Sequence, residues 1–170
     1  MALRTFQPYL DDTATIRLVM EKRFDADLMS FTIESHQSAF ELFINRRIED
    51  AQTVTYLLKS IHRFNLKEEY FIYDQDRNSA ELAYGHIVRS SLFEQEYTYS
   101  GSDLGATYHP SETSFKIWAP ISKQVILCLE DSTYPMVRKE QGVWEMNLPG
   151  DWDGKAYHYL HRVNGQWVEV

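Results

Sequence analysis

The sequence predicts an all-β protein made of two consecutive β-sandwich domains. Three observations carry that expectation. Apolar residues recur with a period of two along most of the 170 residues, not with the 3.6 of a helix. Strand-like segments follow one another at short spacing, separated by turn formers. The 4 Trp, 11 Tyr and 9 Phe make up 14% of the chain, an aromatic load that packs well on pleated surfaces.

Ile16, Leu18 and Met20 occupy alternate positions and mark an early strand. In 28–36, Met29, Phe31 and Ile33 share one face while Ser30, Thr32, Glu34 and His36 share the other, the pattern of a half-buried strand. Phe40, Leu42 and Ile44 repeat it. Residues 51–61 are ambiguous, because Ala51, Val54, Leu58 and Ile61 keep helical spacing. The β-branched and aromatic run Thr53-Val-Thr-Tyr56 favours a strand there. Two short strands are expected at Tyr70–Tyr73 and Leu82–Val88, on either side of the turn-forming run Asp74-Gln-Asp-Arg-Asn-Ser79. No segment has a convincing helical period.

Turn formers concentrate again in Ser100-Gly-Ser-Asp-Leu-Gly105, which places a boundary between a domain over residues 1–98 and another over 99–170. Beyond it, Phe115 and Ile117 face one way in a strand that Pro120 closes. Val125, Leu127 and Leu129 define the next strand. Trp144, Met146 and Leu148 define another, entered through Gln141-Gly142 and ended by Pro149-Gly150. Tyr157 and Tyr159 follow Gly154, and Asn164-Gly165 is the strongest hairpin signal in the sequence. Gln166–Val170 then returns along the hairpin. A sequence that stops inside a hairpin strand leaves an uncovered edge, so the second domain is expected to be truncated at its C-terminus.

Composition excludes several classes of function. The 17 basic and 25 acidic residues give a net charge of −8, which opposes nucleic acid and anionic membranes as partners. No apolar run approaches a membrane span and the N-terminus lacks a signal-peptide core, so a cytoplasmic location is expected. The single cysteine, Cys128, leaves no internal disulfide and no thiolate cluster. Walker A, dinucleotide-binding, zinc-protease and nucleophile-elbow patterns are all missing. Asp74-Gln-Asp76-Arg-Asn78 begins like a calcium loop, but Ser79 stands where the turning glycine belongs and Gly85 where the bidentate Glu belongs; a plain turn is expected. His158 and His161 are three apart, which on a strand puts them on opposite faces, a poor arrangement for one metal. No catalytic residue, metal site or cofactor is therefore expected.

The stretch Asp103-Leu-Gly-Ala-Thr-Tyr108 and then Thr113-Ser-Phe-Lys-Ile-Trp-Ala-Pro120 resembles the start of the family 48 carbohydrate-binding module. Gly142-Val-Trp144, Gly154 before Tyr157-His-Tyr159, and Asn164-Gly-Gln-Trp167 continue that pattern in order. Phe6–Asp12 and Gly85-His-Ile-Val-Arg-Ser-Ser-Leu-Phe-Glu-Gln-Glu-Tyr97 resemble the N-terminal region of bacterial type I pullulanases. The resemblance implies an immunoglobulin-like second domain. It also implies a non-catalytic role beside a (β/α)8 barrel that cleaves α-1,6 branch points in pullulan, starch and glycogen. Such a barrel takes about 250 residues and does not fit in this length.

Glycogen-binding members of the wider family use two tryptophans and a lysine on one face. Trp167 matches the second tryptophan; Leu129-Glu-Asp-Ser-Thr-Tyr-Pro135 offers none for the first, and His158 is the nearest residue to the lysine. Trp167 then either stacks on sugar or packs on the barrel. Trp152, in a turn between Asp151 and Asp153, is expected to be exposed and to serve as a secondary stacking candidate. The expected partners are weakly held α-glucan and the parent enzyme's own barrel. Two rivals share the fold: a free-standing glycogen-binding adaptor, and a protein-interaction module whose sugar site has been lost.

Overall fold

The structure, a computed structural model, describes residues 3–170. The chain divides into two compact units, the first ending at Glu94 and the second running from Gln95 to Val170.

The first unit contains β1 (Phe6–Asp12), β2 (Thr15–Glu21), β3 (Phe31–Glu34), β4 (Ala39–Glu49), β5 (Thr53–Lys59), β6 (Phe71–Asp74), β7 (Ser79–Glu81) and β8 (Ala83–Tyr84). They form one continuous sheet in the order β7-β6-β3-β4-β5-β2-β1-β8. The sheet folds over on itself, so rings from strands far apart in that order meet edge to face: Phe6 with Phe31 at 6.1 Å and Phe31 with Tyr56 at 5.3 Å. The expected alternation fills the core with Ile16, Leu18, Met20, Ile33, Val54, Leu58 and Ile72, each at most 2% exposed. β5 is the strand that its β-branched run favours.

Four hairpin turns in this unit share one local device. A short polar side chain at the turn's start accepts backbone N–H groups: Asp12 from Ala14, Ser35 from Gln37 and Ser38, Asp50 from Gln52 and Thr53, and Asp74 from Asp76 and Asn78. The side-chain alternation of β4 breaks at a register shift between Ile44 and Arg46. Leu42 is buried accordingly, while Ile44 remains 41% exposed.

The expected strand over Leu82–Val88 is replaced by β8 and a 3-10 turn, His86–Arg89. Gly85 allows the change of direction. A side chain there would collide with the Asp11 carboxylate and the Leu10 carbonyl, and Asp11 instead accepts the His86 backbone N–H at 3.0 Å. A helix, α1 (Ser91–Tyr97), then appears where none was expected. Ser90 caps it, its hydroxyl accepting the Phe93 N–H at 3.1 Å, and Phe93 and Tyr97 bury one face. Two turns are too few for a helical period to stand out in sequence. Among the described residues no helix is long and apolar enough to cross a membrane.

The second unit is a sandwich of two four-stranded sheets. Its strands are β9 (Gly105–His109), β10 (Glu112–Trp118), β11 (Gln124–Leu129), β12 (Ser132–Pro135), β13 (Val137–Arg138), β14 (Val143–Pro149), β15 (Tyr157–Val163) and β16 (Gln166–Glu169). One sheet runs β13-β14-β10-β9 and the other β12-β11-β15-β16. Between them lie Phe115, Val125, Leu127, Leu129, Trp144, Leu148 and Tyr159. Trp144 is tied in through its indole N–H, donated to the Ala119 carbonyl at 3.1 Å. The chain changes sheets between β12 and β13 at buried Met136.

Candidate functional site

Strand alternation decides which side chains the β12-β11-β15-β16 sheet presents outward. Val125, Leu127 and Leu129 point into the sandwich, so Gln124, Ile126 and Cys128 point out. The register carries this across the sheet. Gln124 pairs with Arg162, Ile126 with Leu160 and Cys128 with His158; on the next strand Arg162 pairs with Trp167 and Leu160 with Glu169. Across β11, β15 and β16 the outer face therefore carries three rows: Gln124–Arg162–Trp167, then Ile126–Leu160–Glu169, then Cys128–His158, the last two continued on β12 by Pro135 and Thr133.

The Asn164-Gly165 hairpin fixes the first row. Both residues have positive φ, 51° and 78°, as a two-residue turn between twisted strands requires. Asn tolerates this conformation and Gly adopts it freely. With two residues in the loop, Val163 must face Gln166 and Arg162 must face Trp167. Trp167 is 47% exposed, and its ring offers an apolar platform with a donor N–H at its rim. The Arg162 side chain is half-buried, and no carboxylate of the described residues lies within ion-pair distance of it. Gln124 is exposed beside it. The row thus combines a stacking surface, a guanidinium and an amide, the groups that bind a polyhydroxylated ring.

The three expected site residues part company. Trp167 and His158 share the outer face, but the four residues from Arg162 to His158 put His158 about 13 Å along the strand from the Trp167 row. Trp152 lies elsewhere and is less exposed than expected. It lies in the turn before Tyr157, the end of β15 remote from the Arg162 position that pairs with Trp167. It packs half-buried against the sandwich core, with its indole N–H donated to the Pro149 carbonyl at 3.1 Å. Its neighbour Asp151 accepts the Tyr108 hydroxyl at 3.0 Å on the surface. His161 faces the opposite way from His158, as the odd spacing requires, and bonds the buried Ser122 hydroxyl at 2.9 Å.

Sequence reasoning missed Arg162 and Gln124. The first was available in principle, since a two-residue hairpin dictates its partner. Gln124 was not, because nothing local says that β11 pairs with β15. Cys128 is buried, and burial together with the charge of Glu169 pushes its thiol upward, away from reactivity. Among the described residues no group of His, Cys, Asp and Glu could hold a metal ion. The calcium-like run forms a turn in which the Arg4 guanidinium bonds Asp74 at 2.5 Å and Asp76 at 3.0 Å.

Comparison with known proteins gives the same two parts. Residues 6–89 match the pullulanase N1-terminal domain family. Residues 103–170 match carbohydrate-binding module 48, the isoamylase N-terminal domain. A pullulanase of Bacillus subtilis strain 168 is 26% identical over 174 aligned residues, covering 98% of this chain and 24% of its own length. The crystal structure of a pullulanase from Anoxybacillus sp. LM18-11 complexed with maltotriose superposes with a TM-score of 0.85 at 29% identity, over 98% of this chain and 25% of that one. The type I pullulanase of Bacillus subtilis strain 168 complexed with maltose gives 0.84 at 26% identity, over 100% and 25%. The chain therefore spans about a quarter of the length of these relatives.

Proposed function

Because the chain joins a pullulanase N1-terminal domain to a carbohydrate-binding module 48 and is homologous along its length to the N-terminal region of type I pullulanases, we propose that it is the non-catalytic, glucan-contacting part of an α-1,6-glucan debranching system. The working parts are a domain over residues 1–98 and a domain over 99–170. The second holds α-glucan weakly on its outer face and both support a catalytic barrel. One observation carries this reading: Trp167 stands half-exposed beside Arg162 and Gln124, in the unit that matches the carbohydrate-binding family. Glycogen, starch and pullulan segments are the ligands that fit such a platform. A single buried cysteine supports placing the protein in the cytoplasm.

Stacking on one ring with a few hydrogen bonds gives affinity near the millimolar end, about −4 kcal/mol. The test must tolerate weak binding. In native gels containing glycogen or pullulan, the chain is expected to be retarded, and Trp167→Ala is expected to run as in plain gel. Unchanged mobility of the original chain at high polysaccharide overturns the reading. That outcome would favour Trp167 as a packing residue for a barrel, since Ile126 and Leu160 on the same face are also only partly covered.

A further inference from the structure

Resting on the glucan-binding reading above, we propose that the Gln124–Arg162–Trp167 row selects α-glucan carrying a phosphate monoester over neutral chain, with Arg162 holding the phosphate. The second unit contains two arginines. Arg138 spends its terminal nitrogens on the carbonyls of Ser122 at 3.0 Å and Pro120 at 2.8 Å. Arg162 has no such acceptor among the described residues, yet it stands directly opposite the stacking indole. Directly opposed side chains on paired strands lie about 5 Å apart at Cβ. A substituent on a sugar ring stacked on Trp167 therefore falls within reach of the guanidinium.

The planar fork of a guanidinium matches a phosphate oxygen pair, whereas a neutral hydroxyl satisfies only one of its N–H groups. Gln124, next to Arg162 on the other side, adds an amide donor to the same row. The nearest carboxylate on this face is Glu169, opposite Leu160 in the next row. Its charge is felt at Cys128, one row further from Arg162. The overall charge of −8 opposes anions at long range, but at physiological ionic strength it is screened beyond about 8 Å. A phosphate held over this row meets Arg162, which has no ion-pair partner among the described residues, more closely than Glu169, about 7 Å along the strand.

The test compares retardation of the whole chain in gels containing phosphorylated amylopectin and the same polymer after phosphatase treatment. The expected result is about fivefold tighter binding to the phosphorylated polymer at low salt, shrinking toward equality as salt rises. Arg162→Gln should bind the two polymers equally, and no more tightly than the original chain binds the dephosphorylated one; Arg162→Lys should keep part of the preference, and Trp167→Ala should lose both. Equal, Trp167-dependent binding to the two polymers overturns this proposal and leaves the glucan-binding reading standing. Binding to neither overturns both. Phosphate-dependent retardation that survives in Trp167→Ala and is competed by millimolar inorganic phosphate also overturns it, because the site would then be one for a bare anion.

Discussion

Asp74 shows how much a single side chain organises here. It is 3% exposed, yet its carboxylate accepts the backbone N–H groups of Asp76 and Asn78 and the Asn78 amide, each at 2.9 Å. Arg4, seventy residues away in sequence, closes the shell and also donates its Nε to the Phe24 carbonyl at 2.6 Å. Burial pushes the Asp74 carboxyl up, but the hydrogen bonds from Arg4 and Asn78 outweigh it and hold it below the ordinary 3.8. A folded-state value below the unfolded one contributes stability that is complete above the unfolded value and lost as pH falls through the folded one. Asp74→Asn is expected to cost about 1–3 kcal/mol at pH 7, by removing the buried one of Arg4's two charged acceptors and leaving only the more exposed Asp76. Its stability should also fall less steeply than that of the original chain below about pH 4. Urea midpoints of the two proteins from pH 3 to 7 check this. Asp12, Asp25 and Asp103 are shifted the same way, so the difference between the proteins is what isolates Asp74.

At the scale of the element, the β15–β16 hairpin is the decisive piece. Its two-residue turn sets a register, and a register sets a face. Inserting one alanine between Asn164 and Gly165 should slip the return strand by one position and send Trp167 to the inner side. The expected outcome is a folded chain by circular dichroism that is no longer retarded by glycogen. Retained retardation would mean that glucan contacts something other than this row. The hairpin was legible because Asn-Gly is a local instruction. The replacement of the expected Leu82–Val88 strand was not legible, because Gly85 is required by the close approach of Asp11, a contact made across the fold. The short helix α1 escaped for a different reason. Seven residues give it one buried pair, Phe93 and Tyr97, too little for periodicity to register.

At the largest scale the described residues form two β units and no (β/α)8 barrel. Glycoside hydrolysis needs two carboxylates facing each other across a sugar cleft. The outer-face rows contain one, Glu169. Incubating this chain with pullulan is therefore expected to release no reducing sugar; release at a rate proportional to protein and abolished by no outer-face substitution would place catalysis elsewhere in the chain.

Local period, turn chemistry and composition determined that this protein is all-β, where most strands lie and, through Asn164-Gly165, that Arg162 stands opposite Trp167. These follow from sequence because alternation and two-residue turns act over a few residues. Only the tertiary structure decided that Gln124 joins that row, that His158 lies on the same face but out of its reach, and that Trp152 folds against the core. Those outcomes depend on which strands pair across long loops and on which surfaces must be covered. Burial and long-range hydrogen bonding settle such choices together, with no short signal in the chain to announce them.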